Sequence, residues 1–311
     1  MTTTGEAALG PGREFDIIRS LVERWGAAAV GIGDDAALLH VPRGETLVAS
    51  VDANVETIHF RRDWLTPEEI GYRAITAALS DLAAMAARPL GMLVSLAVPD
   101  SWMEDLGSVA DGIGDAATRF QTPIVGGNMS AARELSITTS VFGSAFAPLT
   151  RTTALPGDIV YVTGHLGGPR AALARLARNE PPGDARTRLA RPMARLSEAL
   201  WLADAGATCA IDISDGLLGD LRHVAAASKI RIEIDPSAVP VFASASLDDA
   251  LEGGDEYEVA VTSPHPLDTS LFARRFDIPL TAIGRVLEGA PGLQVRGGRV
   301  ADSKGYDHFS R

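Results

Sequence analysis

Short β-type runs alternate with stretches of helical periodicity along nearly the whole chain, in two blocks. This interleaving is the strongest constraint on the fold, because alternating strands and helices must stack as mixed layers around shared cores. In the first block Phe15, Ile17, Ile18, Leu21, Val22 and Trp25 recur at helical spacing and predict an amphipathic helix over 14–25. Short β-type runs follow at 36–41 and 46–52. Thr66 as an N-cap and Pro67 at the first helical position open a long helix reaching about Ala86. A strand is expected over 91–98 and a helix over 103–119, although that segment carries three glycines. Strands are expected again at Thr122–Val125 and Leu135–Phe146.

The segment from Pro148 to Gly157 connects the blocks, which sets expected domains at 1–148 and 149–311. In the second block helices are expected at 167–178, 195–205 and 216–227. Strands are expected at 158–163, 208–213, 230–234, 257–262 and 280–286. The Pro- and Arg-containing stretch 179–194 reads as loop. The class is therefore α/β or α+β in two domains. With 311 residues and 46% apolar content, each half can bury its own core.

Charge and cysteine usage exclude several functions. The net charge of −12 argues against nucleic acid, which demands a basic face. It also sets a problem for any polyphosphate ligand, which the protein would repel unless divalent cations bridged the two. Cys209 is the one cysteine, so neither an intrachain disulfide nor a thiolate cluster can form. Residues 1–13 look like a frayed start without a signal-peptide core, and no apolar stretch is long enough to span a bilayer. A cytoplasmic location is the expected default, with no membrane and no nucleic-acid partner.

Five acidic or polar segments stand at the ends of expected elements or interrupt them. Gly31-Ile32-Gly33-Asp34-Asp35 places carboxylates directly after glycines that permit close backbone approach, although Gly-Asp is also ordinary turn chemistry. Ser50-Val51-Asp52 ends an expected strand, with Glu56 and His59-Phe60 beyond it. A lone histidine such as His59 is more often a satisfied structural residue than a ligand. Asp81 interrupts an apolar helical stretch, where a charge is costly unless it faces solvent, is paired, or meets a metal. Val125-Gly126-Gly127-Asn128 carries an expected strand into two glycines, a tight turn or a place where backbone N–H groups meet phosphate. Asp212-Ile213-Ser214-Asp215-Gly216 joins a strand to a helix N-terminus, which suits a metal–phosphate site as well as a plain N-cap. Gly253-Gly254-Asp255-Glu256-Tyr257-Glu258 adds a further acidic turn, and Arg151 lies at the junction of the blocks. No Walker loop, no Gly-x-Ser-x-Gly elbow, no His-x-x-x-His and no Cys-x-x-Cys appears.

Taken in order, these segments resemble the thiamine monophosphate kinase family of the aminoimidazole-ribonucleotide-synthetase-like superfamily. The likeness extends through Pro156-Gly157-Asp158, Val162-Thr163-Gly164, Arg191-Pro192, Arg195 and Gly305-Tyr306-Asp307-His308-Phe309. The resemblance implies phosphorylation of thiamine monophosphate by ATP, giving thiamine diphosphate and ADP. It implies several magnesium ions on Asp34, Ser50, Asp52, Asp81, Asn128, Asp212 and Asp215, and leaves room for potassium. ATP would meet Gly127, Asn128, Arg151 and Ser214. Thiamine monophosphate would meet His59, Asp255 and Tyr306. No side chain need act as a general base, since the acceptor phosphate is already anionic. The first domain would pair its sheet across a homodimer.

The chain departs from the family pattern at five positions. Asn128 stands where the family has Asp, and Asp255-Glu256 reverses the usual Glu-Asp order. Val51 and Ala194 replace a frequent Thr and Pro. Asn128 keeps open a nucleotide-binding homologue with impaired turnover, and the substrate side keeps open a kinase of another phosphorylated small molecule.

Overall fold

The computed structural model describes residues 11–297. The chain divides into two compact units. One runs up to Leu82 and resumes over Arg88–Ala147; the other comprises Ala83–Ala87 and the chain from Pro148 onward.

The first unit begins with α1 (Arg13–Trp25), followed by β1 (Thr46–Val55), α2 (Pro67–Ala84), β2 (Arg88–Val98), α3 (Leu106–Arg119), β3 (Ile124–Ala131) and β4 (Ser136–Ala145). Its four-stranded sheet has the order β1-β4-β2-β3, antiparallel except for the β2–β3 pair. The start of α2 is closed by a reciprocal capping box. The Thr66 amide donates to Glu69 Oε2 at 2.9 Å, and the Glu69 amide donates to Thr66 Oγ1 at 3.2 Å. The glycines of α3 serve the packing of the helices. A Cβ on Gly112 would lie 1.8 Å from the Glu68 carbonyl oxygen, and one on Gly71 would lie 2.1 Å from that of Val109. The two backbones approach where only hydrogen atoms fit. Trp25 at the end of α1 donates from Nε1 to the Ala110 carbonyl at 3.0 Å, which docks α1 on α3.

Three expectations are corrected here. The run 36–41 forms no strand: residues 37–40 take no regular structure and Leu38 is 88% exposed. β-type composition makes a strand only where a ladder accepts the backbone groups. Asp52 does not end its strand, because β1 continues to Val55 along the full ladder with β4. Gly126-Gly127 is not a turn after a strand ending at Val125. β3 runs straight through both glycines to Ala131, with Val94 opposite Gly127 and Ser95 opposite Asn128. A Cβ on Gly127 would lie 1.9 Å from the Val94 carbonyl oxygen, so the glycine is a requirement of the pairing itself.

The second unit contains β5 (Ile159–Thr163), α4 (Gly168–Ala177), α5 (Arg186–Ala190), α6 (Leu196–Asp204), β6 (Cys209–Asp212), α7 (Leu217–Ser228) and β7 (Arg231–Ile234). It continues through α8 (Leu247–Glu252), β8 (Val259–Ser263), α9 (Thr269–Phe276), β9 (Leu280–Leu287) and β10 (Gly292–Val295). The six-stranded sheet has the order β10-β7-β9-β5-β8-β6, antiparallel except for β10–β7. Val160, Val162, Ile211, Leu217, Leu221 and Ile232 anchor its core. The short helix α5 lies within the stretch read as loop. Helices α8 and α9 and strand β10 were not expected either. α8 is only six residues long, but Ser246 and Asp249 cap it reciprocally, a signal present in the sequence. Among the described residues, no helix is long and apolar enough to cross a membrane.

Candidate functional site

In the first unit the inner face of β1 carries polar groups. Residues on a strand alternate between faces. Ser50, Asp52 and Asn54 therefore share one side, and Asn54 is buried. Leu47, Ala49, Val51 and Ala53 take the opposite side, with Val51 63% exposed. The polar side faces α2. Ser50 Oγ donates to Asp81 Oδ2 at 2.5 Å, so a strand residue and a helix residue 31 positions apart meet. Asn54 Nδ2 lies 3.5 Å from Asp52 Oδ2. Asp81 is thus a half-buried carboxylate held by a hydroxyl, in place of a charge simply facing solvent.

His59 has a structural task. Its Nδ1 accepts the Val55 amide at 3.1 Å, which assigns the proton of the neutral ring to Nε2. The same loop bounds a cleft of about 530 Å³ lined by Glu56, Thr57, Arg61, Arg62 and Asp63. Glu56 is fixed there by Trp102 Nε1, which donates to its Oε2 at 2.9 Å. Asp34 is exposed, and its Oδ1 accepts the amide of Asp35 at 2.8 Å. Gly127 and Asn128 lie exposed on β3, an edge strand of the sheet.

In the second unit Asp212 is the last residue of β6 and is buried. Gly216, at φ +111°, turns the chain into α7. The turn between them is organised by Asp220, a buried residue in the first part of that helix. Asp220 Oδ2 accepts the amides of Ser214 and Asp215, both at 3.1 Å. Burial, then the nearby charges of Asp212 and Asp215, push the Asp220 carboxyl up to about 8. The sequence reading passed over Asp220. Its position in the first turns of a helix that opens just after Asp-Ile-Ser-Asp-Gly is the signal that points to it.

The Gly254 to Glu258 segment runs alongside this turn. The Asp255 amide donates to the Ser214 carbonyl at 2.9 Å, and the Tyr257 amide to that of Ile213 at 2.9 Å. Ser214 and Asp255 are thereby brought together. A Cβ on Gly254 would lie 2.4 Å from the Ser214 carbonyl oxygen, so the close approach requires glycine. Asp255 (φ +61°) and Tyr257 (φ +53°) both hold left-handed backbone conformations, which cost free energy in non-glycine residues. Tyr257 Oη donates to Asp255 Oδ1 at 2.9 Å.

The intervening acids anchor the strain. Glu258 is fully buried; Arg195 donates to it from Nε at 2.7 Å and Nη2 at 2.6 Å, Arg188 at 2.8 Å, and Thr163 Oγ1 at 2.7 Å. Burial opposes its charge, but the two guanidiniums hold its pKa below the ordinary value. Glu256 accepts the Gly167 amide at the start of α4 and is pushed up to about 8 by burial, against the pull of Arg188. Arg151 is exposed; its carbonyl accepts Ser228 Oγ at 2.7 Å. Tyr306 lies outside the described residues.

The oxygen donors in the two units, carboxylates and a hydroxyl, suit a hard divalent cation. Among the described residues, no group of three or more His, Cys, Asp or Glu side chains is gathered as a ready ligand sphere. Burial is the main cause of the raised Asp220 pKa, and the smaller repulsion from Asp212 and Asp215 is what a cation beside them would relieve.

Comparisons with known proteins follow this geometry. Residues 33–145 match the N-terminal domain of AIR synthase related proteins, and residues 156–296 match their C-terminal domain. The thiamine-monophosphate kinase of Escherichia coli (strain K12) is 36% identical over 329 aligned residues, covering 96% of this chain and 98% of that protein. The crystal structure of thiamine-monophosphate kinase from Stenotrophomonas maltophilia K279a superposes with a TM-score of 0.82 at 32% identity, covering 89% of this chain and 96% of that one. The structure of AaThiL complexed with AMPPCP and TMP gives a TM-score of 0.78 at 29% identity, covering 94% and 95% of the two chains.

Proposed function

Because the chain belongs to the thiamine-monophosphate kinase family of AIR synthase related proteins, we propose that it phosphorylates thiamine monophosphate with ATP, releasing thiamine diphosphate and ADP. Two observations carry this reading. A relative with that name matches almost the full length of both chains, and AaThiL is complexed with an ATP analogue and TMP.

The residues suit phosphoryl transfer without a general base. The acceptor is a phosphate oxygen that is anionic near neutral pH, so the task is to hold two anions together. Magnesium ions, when bound, would screen both anions and neutralise charge as it develops on the transferred group. In this reading Asp34, Ser50, Asp52, Asp81, Asn128, Asp212 and Asp215 hold magnesium. Asn128 does so through its amide oxygen, with one negative charge fewer than a carboxylate. Gly127, Asn128, Arg151 and Ser214 bind ATP, and His59, Asp255 and Tyr306 bind thiamine monophosphate. Asp220 orients the amides of Ser214 and Asp215 toward the turn. The Glu256–Glu258 anchors hold Asp255 in place. Potassium is an optional further ion, and the reaction is assigned to the cytoplasm.

A homodimer belongs to the same reading. The apolar outer side of β1, with Leu47 49% and Val51 63% exposed, would leave water by pairing with a second copy. Light scattering of the purified protein tests this.

The enzymatic test is direct. Incubation with ATP, magnesium chloride and thiamine monophosphate should yield thiamine diphosphate, resolved by chromatography, and Asp52→Ala should abolish it. Absence of the product at high enzyme concentration overturns the assignment.

A further inference from the structure

Thr139 sits at the middle of β4, the strand that β1 and β2 flank. It is fully buried, and its Oγ1 makes no hydrogen bond in the structure. Such a hydroxyl is expensive. Valine has the same shape, would cost no desolvation, and would suit a position flanked on its own strand face by Ile137 and Val141. An orphaned polar group in a native core therefore points to a partner that arrives later.

Register identifies the direction of that partner. Thr139 lies directly opposite Asp52 on β1 and opposite Val94 on β2. Residues directly opposite each other in an antiparallel pair project to the same face with Cβ atoms ~4.5–5.5 Å apart. Val94 offers nothing polar. Asp52 offers a carboxylate, on the same side as Ser50 and, through it, Asp81. Among the described residues, this buried hydroxyl without a hydrogen-bond partner thus stands beside the acidic residue proposed to hold magnesium.

We propose that Thr139 is a positioning residue of the metal site: its Oγ–H donates to the Asp52 carboxylate once a cation has fixed that carboxylate's orientation. The inference rests on the reading that Ser50, Asp52 and Asp81 bind magnesium. Carboxylates that ligate metals are themselves held by outer hydrogen bonds, and losing such a bond typically costs ~10–100-fold in metal affinity. The hydroxyl would then be kept at a cost in the metal-free protein because it orders a ligand in the loaded one.

The test uses the full-length protein, with magnesium or manganese alone as the probe. Metal affinity is measured by calorimetry and by manganese electron paramagnetic resonance, and thermal stability is measured with and without metal. Thr139→Val should bind metal at least about tenfold more weakly than wild type. Its metal-free melting temperature should equal or exceed that of wild type, because the orphaned hydroxyl is gone. Thr139→Ser, which keeps the hydroxyl, should bind metal as wild type does. Wild-type metal affinity in Thr139→Val overturns the proposal. So does a Thr139→Val protein that fails to fold, since the hydroxyl would then be satisfied without metal. Asp52→Ala separates this inference from the reading beneath it. If Asp52→Ala loses the metal and Thr139→Val does not, only the role of Thr139 falls. If Asp52→Ala binds as wild type does, the magnesium assignment falls and the role of Thr139 with it.

Discussion

The two units treat their buried acids differently. In the second, each strategic carboxylate has an internal partner. Glu258 lies between Arg195 and Arg188, Glu256 accepts a helix-terminal amide, and Asp220 accepts two turn amides. In the first, Asp81 accepts a hydroxyl from Ser50, while the buried Thr139 hydroxyl goes without a hydrogen bond. The second unit pairs its anchoring Glu258 with guanidiniums, whereas Asp81 in the first is met by a hydroxyl.

The comparison can be broken by mutation. The largest effect is expected in the second unit. Glu258→Gln leaves the buried Arg195 and half-buried Arg188 guanidiniums facing a neutral amide and should destabilise the fold by ~3–5 kcal/mol, read from chemical denaturation. A loss below ~1 kcal/mol would show that the network is not structural. Asp81→Asn in the first unit should do the reverse. On the proposed reading that Asp81 serves a cation more than the fold, turnover should fall by ~10²-fold or more with a small change in metal-free stability. Equal losses of stability in both variants would erase the distinction.

A third expectation concerns pH. The folded-state pKa of Asp220, about 8, lies above its value in the unfolded chain, so the folded protein holds a proton that the unfolded one releases. Stability of the metal-free protein should therefore fall as pH rises from ~4 to about 8. Glu256 adds a slope of the same sign in nearly the same window. Asp220→Asn should flatten part of the decline, and Glu256→Gln another part, in melting curves recorded across that range. A decline unchanged in both variants would place its source elsewhere. The smallest effect is expected for Tyr257→Phe, which removes the hydroxyl holding Asp255. It should raise the KM for thiamine monophosphate a few-fold and leave the KM for ATP alone, a cost of ~1 kcal/mol. A selective change in the KM for ATP would assign Asp255 to the nucleotide.

Much of the architecture was legible from local chemistry. α1, α2, α3, α4, α6 and α7 follow from periodicity and from caps such as Thr66–Glu69, and β4, β5, β6, β7 and β9 from apolar runs. The short elements α5, α9 and β10 were missed because they lack both a marked apolar run and a long periodic face, and α8 was missed although its Ser246–Asp249 cap stood in the sequence. The run 36–41 failed for the opposite reason: its composition suits a strand, and no ladder receives it.

For the acidic loops, sequence alone determined the inventory: oxygen-bearing side chains in a chain of net charge −12 with one cysteine and no Walker loop. Cation-bridged phosphate chemistry came from their ordered resemblance to the kinase family. Tertiary structure decided the pairings. It set Ser50 on Asp81, Ser214 beside Asp255, and Asp220 under both amides of its turn, and it continued β3 through Gly126-Gly127 where a turn was expected. It also set Thr139 opposite Asp52 with nothing to bond. The physical reason is range. Propensity and capping act over a few residues, whereas register, burial and the satisfaction of a buried hydroxyl depend on partners tens of residues away.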